Sequence, residues 1–510
     1  MLNLLKQSIF PITVFITGAC VLIVEVVATR ILSPFYGNTI FTVSSVISVI
    51  LAALSFGYYI GGRLADRYTS LGIFFSIIWI SGLVLLILHT LGIYVLPYFS
   101  SNLSMTTGPI VSSLLLFLLP AFLLGMLSPY AIKLQSISSP NQGIGSISGN
   151  IYFWSTSGSI LGSLLAGFVL IPTFGINEIM IANSLVLFLL GFVPLLLIKS
   201  KFLKINIIGL LIFIIILLVS SQISLGEFIY YQDGIYEKIA VFDSEFNNRP
   251  TRFLQLDRSK SGAMYLDSND PKDMVYDYTK YYILYKIFNP NIQKALVLGG
   301  GAYSIPKALI TESPNISVDV SEIEPRLYNL AKQYFNLTDN PQLHNYAKDG
   351  RRFLLDTPQK YDLIFSDVYY SIYFIPTHFT TQEFFEIAKS KLNPNGILII
   401  NVVGELAQNE PSFLMSEIKT FQSVFSNCYF IAVESPTKAE SQNIIFIAFN
   451  NGEKIDFNTE LIANDPNSVV NTIPNKLIDT NKFDLSKYPI FTDNFAPVDY
   501  YIGQELKRNN

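Results

Sequence analysis

Residues 294–325, KALVLGGGAYSIPKALITESPNISVDVSEIEP, decide the fold of the second half of this chain. Ala295 to Leu298 is an apolar run of the length of a buried parallel strand, and three glycines follow it at once. Only glycine lets a backbone turn that sharply and approach a ligand that closely. Pro306 suits a first helical turn, and a second strand, Ile316 to Val320, runs into Glu322. The stretch therefore predicts a strand, a glycine turn, a helix, a strand and an acid.

This order is typical of a nucleotide-binding βαβ unit. Gly299, Gly300 and Gly301 would line the ligand. Glu322 follows about 20 residues later, the spacing at which a carboxylate meets a ribose hydroxyl. The glycine pattern is not the dinucleotide GxGxxG, so a purely structural turn is the alternative. We prefer the nucleotide-binding interpretation because the acid stands at the right distance.

The composition indicates a membrane protein. Half of the 510 residues are hydrophobic and 14% are charged, against about a quarter charged in a typical soluble domain. A net charge of −4 without a basic stripe argues against nucleic-acid binding. Cys20 and Cys428 offer neither a disulfide framework nor a metal spacing. With only three histidines as well, we expect no metal site.

The apolar residues concentrate in residues 1–224, where about seven stretches are long enough to cross a bilayer. Lysine and arginine between them fall mainly on one side, which the positive-inside rule makes cytoplasmic. Seven crossings would place the second half outside, but we expect it in the cytoplasm, where nucleotides are available. The prediction is a multi-pass protein of the cell (plasma or inner) membrane with the lipid bilayer as a partner. The stretches lie near 8–29, 40–62, 71–97, 108–132, 146–172, 177–198 and 204–223.

Three features stand out within these stretches. Glu25 is a carboxylate at membrane depth, which is costly and usually faces a partner or a water-filled cavity; Arg30 is a candidate partner. Gly158 and Gly162 are four residues apart, which favours close helix packing. Residues 62–67, GRLADR, resemble a loop of major-facilitator transporters.

From Phe228 onward, strand and helix patterns alternate. Residues 235–266 predict two or three antiparallel strands. Residues 273–288 predict an aromatic-rich helix packed over the glycine turn. The alternation that follows implies a mostly parallel sheet with helices on both faces, and a hairpin near 428–449 completes it. We therefore expect a multi-pass α-helical membrane domain followed by a Rossmann-like α/β domain with a β-hairpin region before it. The predicted domain ranges are 1–224, 225–290, 291–452 and 453–510.

Three acids stand where predicted strands of the α/β domain end. They are Glu322, Asp349 (followed by Gly350) and Asp367. Ligands of such sheets bind beyond the carboxyl ends of the strands. Each acid alone could be a helix N-cap. Together with the glycine turn they predict a ligand site.

The second half resembles the spermidine synthases (polyamine aminopropyltransferases), whose fold is of the class I methyltransferase type. The resemblance runs from Tyr236 to Asn401. The segments FITGACVLIVEVVATRILSPFYGN (15–38) and FTDNFAPVDYY (491–501) resemble the membrane-fused members of that group. The resemblance implies a transferase of polyamine biosynthesis that takes S-adenosylmethionine or its decarboxylated form as donor. A homodimer is a further implied partner.

The same resemblance implies roles for single residues. LGGGAYS matches the family's donor loop, so Gly299 and Gly301 would line the donor. Glu322 matches the acid that binds the donor ribose, and Asp349 matches the acid near the adenine amino group. Asp367 matches the acid beside the reacting centre.

Asp367 is therefore the candidate catalytic residue, with Tyr276 beside it. Tyr369, Tyr370 and Tyr282 are the predicted lining of the acceptor pocket. Tyr282 stands where the family has a histidine. Ser261 stands where the family has a glutamine.

Two acids of the family's amine sites are missing here. Ala302 replaces the acid that holds the aminopropyl amine, and Tyr370 replaces an acid that helps to bind the polyamine. A polyamine is a chain of cations, and buried unpaired charges are very costly. With Tyr373 and Phe374 adding to the aromatic crowding, the acceptor could be an amine or a more amphiphilic molecule.

Three functions stay open at this point. The first is transfer of an aminopropyl or other alkyl group to an amine, and the second is methyl transfer from S-adenosylmethionine to an amphiphilic substrate. The third belongs to another class: a membrane transport or sensing protein whose domain binds an adenosyl compound or a polyamine without chemistry. A separate structural possibility is an inactive synthase that serves as a scaffold.

Overall fold

The computed structural model describes residues 2–198, 203–221, 228–370, 374–452 and 454–508. Tyr373, named above for the aromatic crowding, lies outside these residues, and so do Lys199 and Lys201, two of the lysines that follow the sixth apolar stretch. The chain divides into two compact units, Met1–Gly226 and Glu227–Asn510. The first unit is helical, and the second combines two sheets with helices.

The described residues of the first unit form long apolar helices. Six segments are long and apolar enough to cross a membrane: Ile9–Tyr36, Ile40–Arg67, Leu71–Asn102, Gly108–Ser138, Ile144–Thr173 and Ile176–Leu197. The helices are α1 (Leu2–Tyr36), α2 (Ile40–Arg67), α3 (Leu71–Asn102), α4 (Gly108–Gly125), α5 (Leu127–Ser138), α6 (Ile144–Leu165), α7 (Ile176–Leu197) and α8 (Leu203–Ser221).

The seventh apolar stretch of the sequence forms α8, whose apolar part, Ile207–Ser220, is shorter than the other six. It packs within the unit. The Phe213 ring stacks on Phe188 of α7 with centroids 4.2 Å apart. A Cβ added to Gly209 would lie 2.4 Å from the Trp79 ring of α3.

The segment 62–67, GRLADR, is not a loop, because it forms the last turns of α2. Asp66 there pairs with Lys133 of α5 at 2.7 Å. This exposed ion pair connects the end of α2 to α5. Glu25 lies on α1 and is partly buried.

Glycines bring α1 and α6 into close contact, and the spacing of Gly158 and Gly162 predicted such close helix packing. A Cβ on Gly158 would lie 1.9 Å from the carbonyl oxygen of Phe15, and one on Gly162 would lie 2.3 Å from that of Ala19. Such backbone approach is open only to very small residues. The contact between these two helices therefore depends on both glycines.

We expect Gly158→Ala to destabilise the helical unit by about 1–3 kcal/mol, because overpacking forces the backbones apart. The measurement is the thermal unfolding midpoint of the full chain in detergent, followed by size-exclusion chromatography of the heated protein. Gly149→Ala on the same helix is the matched control, since a Cβ there meets nothing within 4 Å. Equal midpoints for the two variants would contradict the close contact.

The second unit begins with a four-stranded antiparallel sheet; three of its strands lie within 235–266, as the sequence predicted, and one strand precedes that range. Its strands follow the chain order. They are β1 (Tyr230–Asp233), β2 (Lys238–Phe246), β3 (Arg249–Leu256) and β4 (Ser259–Tyr265). The buried Glu324 ties the first turn of this sheet to the main sheet, since its Oε2 accepts hydrogen bonds from the backbone N–H groups of Ile235 (2.7 Å) and Tyr236 (3.2 Å).

The main sheet has seven strands in the order β10-β11-β9-β8-β5-β6-β7. Strands β7, β6, β5, β8 and β9 are parallel, and the final hairpin adds β11 and β10 antiparallel. The strands are β5 (Lys294–Leu298), β6 (Ser317–Glu322), β7 (Leu343–Ala347), β8 (Tyr361–Ser366), β9 (Leu392–Gly404), β10 (Cys428–Ala432) and β11 (Gln442–Phe449). The helices are α9 (Ser304–Glu312), α10 (Leu327–Tyr334), α11 (Gly350–Asp356), α12 (Gln382–Ser390), α13 (Phe413–Val424) and α14 (Val498–Arg508). The expectation of a Rossmann-like α/β domain is confirmed.

The prediction of one aromatic-rich helix over 273–288 was wrong. The segment is a 3-10 helix, Asp277–Leu284, that ends in a single α-helical turn, Tyr285–Phe288. Aromatic and β-branched residues are weak helix formers, and Thr279 bonds the Tyr276 carbonyl through its hydroxyl at 2.6 Å. Strand β4 covers the glycine turn, where the Ser261 carbonyl oxygen would lie 3.4 Å from a Cβ on Gly301.

Candidate active site

The glycine turn after β5 needs glycine at two positions. Gly299 has φ +88° and Gly301 has φ +50°, a left-handed backbone that other residues rarely adopt. A Cβ on Gly299 would also lie 2.2 Å from the carbonyl oxygen of Asp367. The Asp367 N–H donates to the Leu298 carbonyl at 2.9 Å. The turn and the residue after β8 are therefore in direct contact.

Glu322 fixes the glycine turn from the neighbouring strand. Its Oε2 accepts hydrogen bonds from the N–H groups of Gly300 (2.8 Å) and Gly301 (3.2 Å), and its Oε1 accepts one from Glu324 (2.9 Å). Burial raises the pKa of Glu322, and these three bonds act to lower it. These donors stabilise the ionised carboxylate. Glu322 is therefore bonded to the glycine turn and is also the last residue of β6.

Asp349 caps α11, so the N-cap alternative applies to it. Its Oδ1 accepts from the Arg352 N–H at 2.8 Å, and its Oδ2 lies 3.0 Å from Nε2 of His378. Burial alone would raise the pKa of Asp349, but His378 and the backbone donors bring it below its usual value. Gly350 begins the helix, and a Cβ there would lie 3.2 Å from the Leu298 side chain.

A chain of amides orients Asp367. Asn401 Nδ2 donates to Asp367 Oδ1 at 2.9 Å, and Asn443 Nδ2 donates to Asn401 Oδ1 at 2.8 Å. The Tyr278 hydroxyl also hydrogen-bonds the carboxylate. Burial raises the pKa of Asp367, and the bonds from Asn401 and Tyr278 partly offset this. The result is a fixed carboxylate with a raised proton affinity.

The tyrosines predicted from the sequence have different surroundings. Tyr276 stacks on Tyr278 with ring centroids 6.0 Å apart, and its hydroxyl is buried without a partner among the described residues. Tyr278, which the sequence did not single out, is the one that bonds Asp367. Tyr282 lies in the hydrophobic core. Burial raises the pKa of both Tyr276 and Tyr282.

Tyr369 and Tyr370 follow Asp367 beyond the end of β8. The Tyr369 oxygen accepts from the Val403 N–H at 2.7 Å, and its hydroxyl donates to the Asn401 carbonyl at 3.3 Å. The Tyr370 hydroxyl donates to Asp499 Oδ1 at 2.6 Å. The second tyrosine therefore brings a carboxylate of α14 to this edge of the sheet.

Sequence reasoning missed four residues of this neighbourhood, and each left a signal. Asn401 and Asn443 are polar residues inside apolar strands. Tyr278 lies two residues from Tyr276, which matters only if the segment is not an α-helix. Asp499 belongs to FTDNFAPVDYY, a segment used above for resemblance alone.

The comparisons with known proteins identify the family of the second unit. Residues 284–459 match the family model of the spermine/spermidine synthase domain. The second unit therefore contains a spermine/spermidine synthase domain. The resemblance drawn from the sequence is confirmed, and so is the expectation of a transferase-type domain.

Two relatives show how far the synthase match extends. The polyamine aminopropyltransferase of Vibrio vulnificus is 27% identical over 43% of this chain and 73% of its own length. Polyamine aminopropyltransferase 2 of Aquifex aeolicus is 22% identical over 85% of this chain and 86% of its own. Among solved structures, a probable spermidine synthase from Corynebacterium glutamicum matches with a TM-score of 0.43 and 19% identity, covering 52% of this chain and 97% of that one. Some other relatives are matched over less than half of their length, such as the probable polyamine aminopropyl transferase of Bifidobacterium longum, which is 30% identical over 32% of its length.

Gly299→Ala and Gly301→Ala form a matched pair that tests the turn of the synthase domain. Gly301→Ala should lower the free energy of unfolding by about 1–2 kcal/mol, the cost of a left-handed backbone for a residue with a Cβ. Gly299→Ala adds a clash with the Asp367 backbone, so we expect a loss of at least about 3 kcal/mol. Scanning calorimetry of the full chain in detergent would compare their unfolding transitions. A larger effect at Gly301 would contradict the described contact.

Proposed function

We propose that this chain is a membrane-anchored transferase that moves an aminopropyl group from decarboxylated S-adenosylmethionine to an amine. The observation that carries the proposal is the contact of Asp367 with the glycine turn. Gly299 packs on the Asp367 backbone, and Asn401 and Tyr278 orient its carboxylate. A donor-binding turn and a proton-accepting group are thus adjacent within a spermine/spermidine synthase domain.

The reaction is a displacement at carbon. The amine nitrogen attacks the methylene carbon bound to the sulfonium sulfur, a C–N bond forms, and the C–S bond breaks with its electron pair left on sulfur. The sulfur becomes a neutral thioether, and the new ammonium group releases a proton. Orientation supplies most of the rate in such a step. Asp367 would hold the amine in line and accept its proton.

The residues present fit the adenosine part of the donor. Gly299, Gly300 and Gly301 allow close backbone approach, Glu322 ends β6 at the ribose position, and Asp349 with Gly350 ends the next strand. The raised proton affinity of the buried Asp367 suits an acceptor of a proton. Because burial raises the pKa of Asp367, the enzyme should lose activity on acidification at a higher pH than an enzyme that uses an exposed aspartate.

Methyl transfer from S-adenosylmethionine is the second candidate, and Ala302 favours it. Ala302 is 3% exposed, and a Cβ on Gly262 of β4 would lie 2.6 Å from its Cβ. Alanine has no carboxylate, so nothing at this position repels the carboxylate of the intact donor. An amphiphilic acceptor would go with this alternative.

We also propose that the synthase domain faces the cytoplasm. Six segments of the described residues are long and apolar enough to cross a membrane, and an even number of crossings returns the chain to the side on which it began. Arg63 and Arg67 at the end of α2 and Lys133 on α5 share that side, since Asp66 and Lys133 are paired. The positive-inside rule makes it the cytoplasmic side.

The test is a product assay on the full chain in detergent. Each donor is incubated with a set of amines, and mass spectrometry identifies the nucleoside product. We expect methylthioadenosine from the decarboxylated donor. We expect Asp367→Asn to lower kcat roughly 100-fold or more, with donor affinity retained. Asp339→Asn, at an exposed acid paired with Lys332, is the control.

The other outcomes separate the alternatives. S-adenosylhomocysteine from the intact donor would favour the methyltransferase. No product from either donor, with a folded protein, would contradict the enzyme proposal. It would leave the transport, sensing or scaffold functions.

A further inference from the structure

Tyr303 has a backbone conformation that a tyrosine rarely adopts. It lies two residues after the glycine turn, where α9 begins, and its φ is +57°. A left-handed backbone is unfavourable for a residue with a Cβ. The other described non-glycine residues with a positive φ are four asparagines and one aspartate, which tolerate it best. Strain of this kind persists only where surrounding contacts enforce it, and it is concentrated at functional sites.

The contacts that enforce this conformation fix both ends of the side chain. Tyr303 is 0% exposed. Its hydroxyl donates to Asn345 Oδ1 in the middle of β7 at 2.5 Å, and its ring lies against Tyr328 of α10 with centroids 5.5 Å apart. Asn345 is the register partner of Val320, two residues before Glu322. The side chain therefore runs back from the carboxyl edge of the sheet, behind the glycine turn, toward β7.

The ring lies directly against the middle glycine of the turn. A Cβ on Gly300 would lie 2.8 Å from Cε2 and from Cζ of Tyr303. The φ of Gly300 is not in the left-handed region, unlike those of Gly299 and Gly301. The need for glycine at position 300 therefore comes from the ring and not from the backbone angle.

Gly300 is consequently held from two directions. Its N–H donates to Glu322 Oε2 at 2.8 Å, and its carbonyl accepts from the Tyr303 N–H at 2.7 Å. The ring closes the space that its missing side chain leaves. A turn that is fixed in this way before the ligand arrives avoids the cost of ordering it on binding.

We propose that Tyr303 is a positioning residue for the donor: its ring is the support behind Gly300 that keeps the glycine turn in the shape that binds the adenosyl compound. The inference rests on the proposed function, since it assigns a role within the donor site. It holds for either donor, because both carry the same adenosine part.

A purely structural tyrosine is the alternative, and Tyr361 provides the comparison. Tyr361 is also 0% exposed, and its hydroxyl donates to the buried Asp319 at 2.8 Å. It is the first residue of β8 and therefore lies at the amino end of the strand, away from the glycine turn. Loss of either hydroxyl should lower stability, but only loss of the Tyr303 hydroxyl should change donor binding.

The test is isothermal titration calorimetry of the full chain in detergent with decarboxylated S-adenosylmethionine and with S-adenosylmethionine. Tyr303→Phe keeps the ring and loses one hydrogen bond, so we expect the donor Kd to rise about three- to tenfold. Tyr303→Gly also removes the ring, and we expect a rise of more than about tenfold, although the substitution relieves the left-handed strain. Tyr361→Phe should keep the wild-type Kd.

A double variant tests the contact with Gly300. Gly300→Ala alone should raise the donor Kd about tenfold or more, because its Cβ meets the ring and displaces the turn. In the Tyr303→Gly background the ring is absent, so Gly300→Ala should cause little further loss. Residues in direct contact give such non-additive effects, whereas independent residues give additive ones.

The outcomes separate this inference from the proposed function. A wild-type Kd in folded Tyr303→Phe and Tyr303→Gly proteins, or additive losses in the double variant, would overturn the inference. Binding that responds as expected in a protein that forms no product would contradict only the proposed function. A folded wild-type protein that binds neither compound would contradict both.

Discussion

The site depends on one carboxylate that holds a backbone turn. Glu322 accepts hydrogen bonds from two successive N–H groups of the glycine turn, and this fixes the turn against the end of β6. The turn in turn contacts the backbone of Asp367 through Gly299. Three adjacent parallel strands, β6, β5 and β8, are thereby joined at their carboxyl ends, which is where ligands of such sheets bind.

Buried carboxylates depend on hydrogen-bond partners within the protein to stay ionised. Glu322, Asp367 and Glu417 all have raised pKa values because they are removed from water. Glu322 has three backbone donors and Asp367 has an amide and a phenol. Glu417 lacks a partner for one oxygen among the described residues. The first two are therefore satisfied by the fold itself.

The central part of the fold could be predicted from the sequence because its elements are consecutive in the chain. Strand, turn, helix and acid follow one another within residues 294–322, and their spacing is set by the chain itself. The helix α13 was missed although Ser412 caps it by accepting from the Met415 N–H at 3.3 Å, a signal that is readable in a sequence. The aromatic segment before β5 was misassigned because the tyrosines suggested a helical face.

The candidate site was harder to predict, since its contacts join distant residues. Tyr370 meets Asp499 across 129 positions, and Arg351 meets Asp493 across 142. No local pattern encodes such pairs. Ala302 is similar, because its close neighbour is Gly262 of β4, 40 positions earlier in the chain. A lost acid read from one position of a sequence is therefore not evidence that the whole pocket has lost its charge.

The most direct test of the account is isothermal titration calorimetry of the full chain in detergent with decarboxylated S-adenosylmethionine and with S-adenosylmethionine. The account predicts saturable binding of the decarboxylated donor at one site, weakened in Glu322→Gln because the glycine turn loses its anionic acceptor. A folded protein that binds neither donor would contradict the account. A clear preference for the intact donor would contradict aminopropyl transfer and indicate methyl transfer instead.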